Sequence, residues 1–252
     1  AAVTTGIYNT LIGGLAGDAL TTGENNVALG YAALSTETIT GRVVALGYNT
    51  LASQRSDSHT YNVAVGYETG KAITTGVRNT LVGGFAGDAL TTGERNVALG
   101  YNALSTEDAH GRNTAVGYQC LTVQDAGVNA YNTAVGYHAG VAITTGVSNT
   151  IMGGLAGDAL TTGSFNIAIG YGALTTEDTG GRCIAIGYNA LSSQNVDGNV
   201  YNVAIGHEAG TAVTTGTLNT LIGGLAGDAL TEGNYNTALG YVALINNTTS
   251  TG

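Results

Sequence analysis

The sequence predicts an all-β fold, a parallel β-roll or β-solenoid of about 14 short coils. Three observations predict it. A long string recurs every 70 residues, a six-residue unit recurs inside it every 17 or 19, and the composition suits narrow coils. Of 252 residues 41 are Gly, about twice the ordinary share, while only 10% are charged. With two Phe and no Trp there is little bulk for a rounded core, yet 43% hydrophobic content is too high for a disordered linker. The absence of Pro and of a three-residue Gly period excludes collagen. No apolar run reaches the ~20 residues of a membrane span, so no membrane insertion is expected. Net charge is −10, and Arg42, Arg112 and Arg182 are spread along the chain rather than clustered, which argues against nucleic acid as a partner.

The long string, Asn-Thr-(Leu/Ile)-x-Gly-Gly-x-Ala-Gly-Asp-Ala-Leu-Thr, begins at Asn9, Asn79, Asn149 and Asn219. It divides a single repeat domain spanning 1–252 into super-repeats 9–78, 79–148 and 149–218 and a partial copy, 219–252. The short unit, Asn-(Thr/Val)-Ala-(Leu/Val/Ile)-Gly-Tyr, starts at 9, 26, 43 and 62 and repeats that pattern to 236, in steps of 17, 17, 19 and 17. Such a period is too short for a helical hairpin but fits one β-solenoid turn with two short strands and two tight corners.

Position one is Asn in twelve units: Asn9, Asn26, Asn62, Asn79, Asn96, Asn113, Asn132, Asn149, Asn166, Asn202, Asn219 and Asn236. Val43 and Cys183 are the exceptions. Stacked ~4.8 Å apart, these amides predict a side-chain ladder running up one corner. Positions two to four alternate β-branched or aliphatic residues around Ala, as a strand does, and Gly ends each strand at position five. Alternation sends positions two and four to one face and three and five to the other. Both faces are then apolar or small, and a strand buried on both faces needs a second body. Self-association along a rod of roughly 65–70 Å follows as the expectation. Across the coil, Thr-Thr-Gly at 21–23, 74–76, 91–93, 144–146, 161–163 and 214–216 predicts corners whose Gly takes positive φ.

Position six is Tyr in nine units: Tyr31, Tyr48, Tyr67, Tyr101, Tyr118, Tyr137, Tyr171, Tyr188 and Tyr241. These either offer an aromatic ladder to sugar rings or pack over the corner with wet hydroxyls. The 19-residue coils add two residues after Gln54, Gln124 and Gln194, with sequences that differ between copies, including Asp57, Asp125 and Asp197. Bulges of this kind on a rigid scaffold are candidate receptor contacts, and Tyr61, Tyr131 and Tyr201 follow as staples. Asp18, Asp88, Asp158 and Asp228 recur four coils apart. No two could share a cation within one chain, but three symmetry copies around a three-fold axis could hold Ca²⁺. Glu37, Glu107 and Glu177 are expected to form surface ion pairs with Arg42, Arg112 and Arg182.

Catalytic signals are sparse, and neither an enzyme nor a cofactor is expected. His59, His110, His138 and His207 fall at unrelated repeat positions, none with a partner at metal-ligand spacing. Residues 66–71 lack the spacing and the hydroxyl residue of a phosphate loop. Cys120 and Cys183, four coils apart, are too distant for a disulfide and are expected to pack.

The units at 132–140 and 236–244 resemble the head repeats of trimeric autotransporter adhesins (YadA-like heads), and the related repeats of phage tail-fibre and tail-spike proteins still more. The resemblance covers 9–244, although these coils are longer than those of the adhesin heads. It implies a left-handed parallel β-roll, a homotrimer, an extracellular place on a virion tail fibre or bacterial surface, and attachment to a cell-surface glycan or receptor. A self-polymerising extracellular filament is the alternative, motivated by coil-like residues 2–8 and 249–252 at the ends. A monomeric ice- or surface-binding solenoid would need a flat Thr array, whereas the Thr here lie mostly at corners.

Overall fold

The computed structural model describes residues 3–249; residues 1–2 and 250–252, including most of the C-terminal motif singled out above, lie outside them. All named elements are strands, one per coil, each three residues long. The fold is a parallel β-solenoid of about 14 turns, and contacts divide the chain into two compact units, Ala1–Ala130 and Tyr131–Gly252. In the first unit lie β1 (Thr10–Ile12), β2 (Val27–Leu29), β3 (Val44–Leu46), β4 (Val63–Val65), β5 (Thr80–Val82), β6 (Val97–Leu99) and β7 (Thr114–Val116). The second holds β8 (Thr133–Val135), β9 (Thr150–Met152), β10 (Ile167–Ile169), β11 (Ile184–Ile186), β12 (Val203–Ile205), β13 (Thr220–Ile222) and β14 (Thr237–Leu239). Each strand is positions two to four of the six-residue unit.

Within each unit, successive strands pair in parallel with equivalent positions opposite one another: Val27, Ala28 and Leu29 face Val44, Ala45 and Leu46, and Ile167, Ala168 and Ile169 face Ile184, Ala185 and Ile186. The middle residue points inward. Ala28, Ala45, Leu81, Ala168 and Leu221 are all fully buried. The column is mostly Ala, which leaves room for the side chains arriving from the opposite wall.

The opposite wall departs from the expectation of a second strand. It is a chain of turns in which non-glycine residues adopt the left-handed conformation, for instance Ala32 and Leu34 (both φ 53°) and Asn49 and Leu51 (φ 51° and 50°). Each such residue costs about 1–2 kcal/mol. The cost is offset because Leu34, Leu51, Leu104, Leu121, Leu174 and Leu191 are thereby aimed into the core and fully buried, a burial worth about 1.5–3 kcal/mol each. Their N–H groups stay satisfied between coils, Leu34 donating to the Thr50 carbonyl at 3.0 Å and Leu174 to that of Ala190 at 3.0 Å. A wall of alternating backbone handedness thus makes inter-coil hydrogen bonds without being a strand.

Two kinds of glycine do different work. At position five the backbone requires positive φ, and a Cβ would also strike the next coil: Gly100 has φ +141° and its Cβ would lie 2.1 Å from the Gly117 carbonyl oxygen. The Thr-Thr-Gly glycines correct the expectation, since none of the six has positive φ. Gly is needed there for closeness alone, a Cβ on Gly93 lying 2.3 Å from the His110 carbonyl oxygen.

Candidate functional site

The Asn corner forms mainly as a side-chain-to-backbone ladder, with amide-to-amide bonds from Asn79 Nδ2 to Asn62 Oδ1 at 3.4 Å and from Asn236 Nδ2 to Asn219 Oδ1 at 3.1 Å. Asn79 Nδ2 donates to the Gly93 carbonyl at 2.9 Å, and its Oδ1 accepts the backbone N–H of Asn96 at 2.9 Å. The same pair of bonds recurs at Asn9 and Asn26, at Asn149 and Asn166, and at Asn219 with Asn236. Asn62, Asn132 and Asn202 likewise donate to Gly76, Gly146 and Gly216. The Asn113 N–H donates to Asn96 Oδ1 at 3.1 Å. The ladder asks the side chain for a donor and an acceptor in a buried corner, where each unmet polar group would cost about 1–3 kcal/mol.

A buried polar insertion interrupts the apolar interior once per super-repeat. The twelfth position of the coil is Leu20, Glu37, Gln54 and Ile73 in the first super-repeat, and Leu160, Glu177, Gln194 and Val213 in the third; all eight are fully buried. Glu37, Glu107 and Glu177 are therefore interior groups, which overturns the expected surface pairs with Arg42, Arg112 and Arg182. Arg42 and Arg112 instead approach Glu24 and Glu94, at 3.7 and 3.8 Å. Glu177 Oε1 accepts the Gly180 N–H at 2.7 Å, and its Oε2 accepts from Gln194 Nε2 at 3.0 Å and the Val196 N–H at 3.2 Å. Gln194 Oε1 in turn accepts from Asn202 Nδ2 at 2.7 Å, so the carboxylate is wired into the Asn ladder. Glu37–Gln54–Asn62 repeats the arrangement at 3.4 and 2.9 Å. Burial raises the carboxyl pKa of Glu107 and Glu177, opposed by these hydrogen bonds. The sequence carried a signal for this, namely an acid and an amide at the position its neighbours fill with Leu and Ile.

Position-six tyrosines line one exposed face of each unit. Tyr31, Tyr48 and Tyr67 stack in sequence with centroids 5.5 and 5.2 Å apart, and Tyr101 stacks with Tyr118 at 5.7 Å. In the second unit Tyr171, Tyr188 and His207 continue the pattern at 5.8 and 5.2 Å, while Tyr137 lies against His138 at 4.0 Å. All these tyrosines and Tyr241 are exposed. The neighbouring Glu68 carboxylate raises the Tyr67 pKa. Between Tyr67 and Tyr101 stands Phe85, edge-on to both at 5.3 and 5.9 Å. Phe85, Asp88, Tyr101, Asn102 and Ser105 line an open depression of roughly 330 Å³.

Asp57, Asp125 and Asp197 are exposed on their bulges, with Asp197 accepting a hydrogen bond from the Thr179 hydroxyl. Tyr61 stands edge-on to His59 of its bulge, with ring centroids 6.2 Å apart, and Tyr61 and Tyr201 also reach back one coil, where Arg42 Nη1 and Arg182 Nε donate to their hydroxyls at 3.2 Å. Asp18, Asp88, Asp158 and Asp228 are half-buried. Asp158 accepts from the Thr175 hydroxyl, whereas one buried oxygen of Asp88 and of Asp228 has no hydrogen-bond partner. Burial raises the Asp88 pKa. Cys120 and Cys183 are buried free thiols, and burial pushes the Cys183 thiol up to about 11. His110 contradicts the spacing argument above, because it lies in one cluster with Glu107, Asp108 and Asp125. Among the described residues, no helix is long and apolar enough to cross a membrane.

No family model matches this chain, and neither does any curated protein or solved structure.

Proposed function

We propose that this chain is a structural and adhesive fibre module, not an enzyme, which associates as a parallel homotrimer outside the cell and attaches to a cell-surface glycan or receptor. The observation that carries the reading is the exposed aromatic face. Tyrosine rings stacked nearly parallel at 5.2–5.8 Å spacings by the coil repeat stay about half exposed, forming a strip of apolar ring edges and polar hydroxyls against which sugar rings can pack. Beside Phe85 and Tyr101, the groups of Asp88, Asn102 and Ser105 supply hydrogen-bonding partners for hydroxyls. Repetition lets individually weak contacts act together, with effective concentrations that raise avidity well above single-site affinity.

The homotrimer is supported by the outward strand positions. Ile12, Leu29, Val82, Met152, Ile205 and Leu239 are large apolar residues left exposed on strands of both units, an arrangement that favours a partner surface. The YadA-like and tail-fibre resemblance of the repeat unit agrees with it and favours a virion tail fibre or a bacterial surface as the setting.

Light scattering over a concentration series tests the assembly. A constant mass near three times 25.1 kDa is expected. Mass rising with concentration would replace the trimer with a filament, and a stable single-chain mass would overturn both. A glycan array probed with the parent and with Tyr101→Ala tests attachment: glycan binding that weakens in the variant is expected, and binding unaffected by the substitution removes the aromatic face from the reading.

A further inference from the structure

The three complete super-repeats give an internal comparison at the buried glutamate. The first places Thr38, Thr40 and Arg55 around Glu37, and the third places Asp178, Gly180 and Asn195 around Glu177. Only the second brings Asp108, His110 and Asp125 to Glu107, with one ligand atom from each of the four lying within 4.8 Å of the others.

The group is held from behind. Gln124 Nε2 fixes Glu107 Oε2 at 3.2 Å, and the His110 N–H donates to Glu107 Oε1 at 3.2 Å. Glu107 is fully buried, while Asp108 and Asp125 face solvent, so one wall is rigid and the other can close. His110 Nδ1 is shielded from solvent and has no hydrogen-bond partner, with Glu107 Oε1 the carboxylate oxygen beside it at 3.7 Å. An imidazole nitrogen set among carboxylate oxygens with no hydrogen-bond partner is placed to serve as a metal ligand. Around a cation at about 2.0–2.2 Å, ligand atoms lie roughly 3–4 Å apart, a contraction that the exposed Asp108 and Asp125 side chains can supply by changing rotamer.

We propose that Glu107, Asp108, His110 and Asp125 bind one divalent cation that accepts both imidazole nitrogen and carboxylate oxygen, of the Zn²⁺ or Mn²⁺ kind. The mixed donor set favours such ions over Ca²⁺ and Mg²⁺, which take oxygen alone. The Gln124 bond to Glu107 fills the outer-shell role that orients a ligating carboxylate. The cation would tie the corner at 107–110 to the bulge that begins at Asp125, in the second super-repeat alone.

The test is calorimetric titration of the full chain with ZnCl₂, and separately MnCl₂ and CaCl₂, after treatment with chelator. One Zn²⁺ or Mn²⁺ site per chain is expected. The double variant His110→Thr, Asp125→Arg installs the residues that the first super-repeat carries at these places, so its coil has a precedent for folding, and circular dichroism verifies it. Its affinity should fall more than ~100-fold, beyond the roughly 10–100-fold that loss of an outer-shell group produces, whereas His207→Ala, an exposed histidine, should leave affinity unchanged. Absence of uptake at millimolar Zn²⁺ and Mn²⁺ would overturn the proposal. So would a folded double variant that titrates like the parent, uptake lost in His207→Ala instead, or Ca²⁺ binding as tightly as Zn²⁺.

Discussion

Replacing Gln194 by Leu tests whether the buried glutamate is held by its amide partner. The substitution matches the apolar residues that fill this inward position elsewhere, such as Leu160 and Val213, so packing alone predicts little loss. Hydrogen bonding predicts otherwise. Gln194 donates to Glu177 Oε2 at 3.0 Å and accepts from Asn202 Nδ2 at 2.7 Å. Losing a hydrogen bond to a charged group costs about 1.5–3 kcal/mol, and losing the neutral bond to Asn202 adds about 0.5–1.5 kcal/mol. Asn202 still reaches the Gly216 carbonyl at 2.7 Å, which keeps the second figure from growing. A loss of about 2–4.5 kcal/mol at pH 7.5 is therefore expected, by urea denaturation followed by circular dichroism. The pH dependence separates this account from a packing defect. Burial already raises the Glu177 pKa and the Gln194 bond lowers it, so the variant raises it further. In the folded state the group then binds protons that the unfolded chain has released. Its stability deficit is largest above the raised folded pKa and shrinks as pH falls through that value toward the unfolded one. The gap between parent and variant should narrow between pH 7.5 and pH 4.5. A gap of equal size at both, or a loss at pH 7.5 below about 1 kcal/mol, would refute the reasoning.

Other substitutions read single features. Gly100→Ala combines φ +141° with a Cβ 2.1 Å from a neighbouring carbonyl oxygen, whereas Gly127→Ala at φ +66° meets nothing within 4 Å; the first should cost more than about 3 kcal/mol and the second about 1 kcal/mol, compared by thermal melting. Asn79→Ala removes bonds to the Gly93 carbonyl and from the Asn96 N–H and should cost about 2–3 kcal/mol, with faster hydrogen exchange at Asn96. Leu218→Asn, at an exposed residue with φ 60° where the first coil carries Asn25 at φ 58°, should stabilise by about 0.5–1 kcal/mol. Cys183, buried with its thiol pushed up to about 11, should resist a thiol-specific disulfide reagent at pH 8 until the chain is denatured.

The repeat made most of the architecture legible. The spacing of Asn9, Asn26, Val43 and Asn62, carried through the later super-repeats, located all fourteen strands, because a parallel stack admits one register once every coil carries the same mark. The turn wall was not legible. The sequence predicts a second short strand there, since nothing in a residue such as Leu34 or Leu51 announces a left-handed backbone whose cost is offset only by burial from neighbouring coils. Glu37 reads as a surface group for a related reason. Charge normally marks solvent, and the coil position that places it inside becomes informative only when the same column is read across coils. His110 escaped the spacing argument because Asp125 joins it from the following coil rather than from its own.

The Glu–Gln pairs also bear on how so repetitive a chain finds one arrangement. Coils that share a strand, a corner Asn and a terminal Gly can pair with the wrong neighbour at little cost to backbone hydrogen bonding. If the coil of Glu37 skipped its successor and met that of Ile73, a buried carboxylate would face an aliphatic side chain in place of the Gln54 amide, and Gln54 would be left without its acceptor. Such a charge costs several kcal/mol when unpaired. One polar pair in every four coils therefore acts as a page number, penalising a skipped coil in a chain whose pages otherwise look alike.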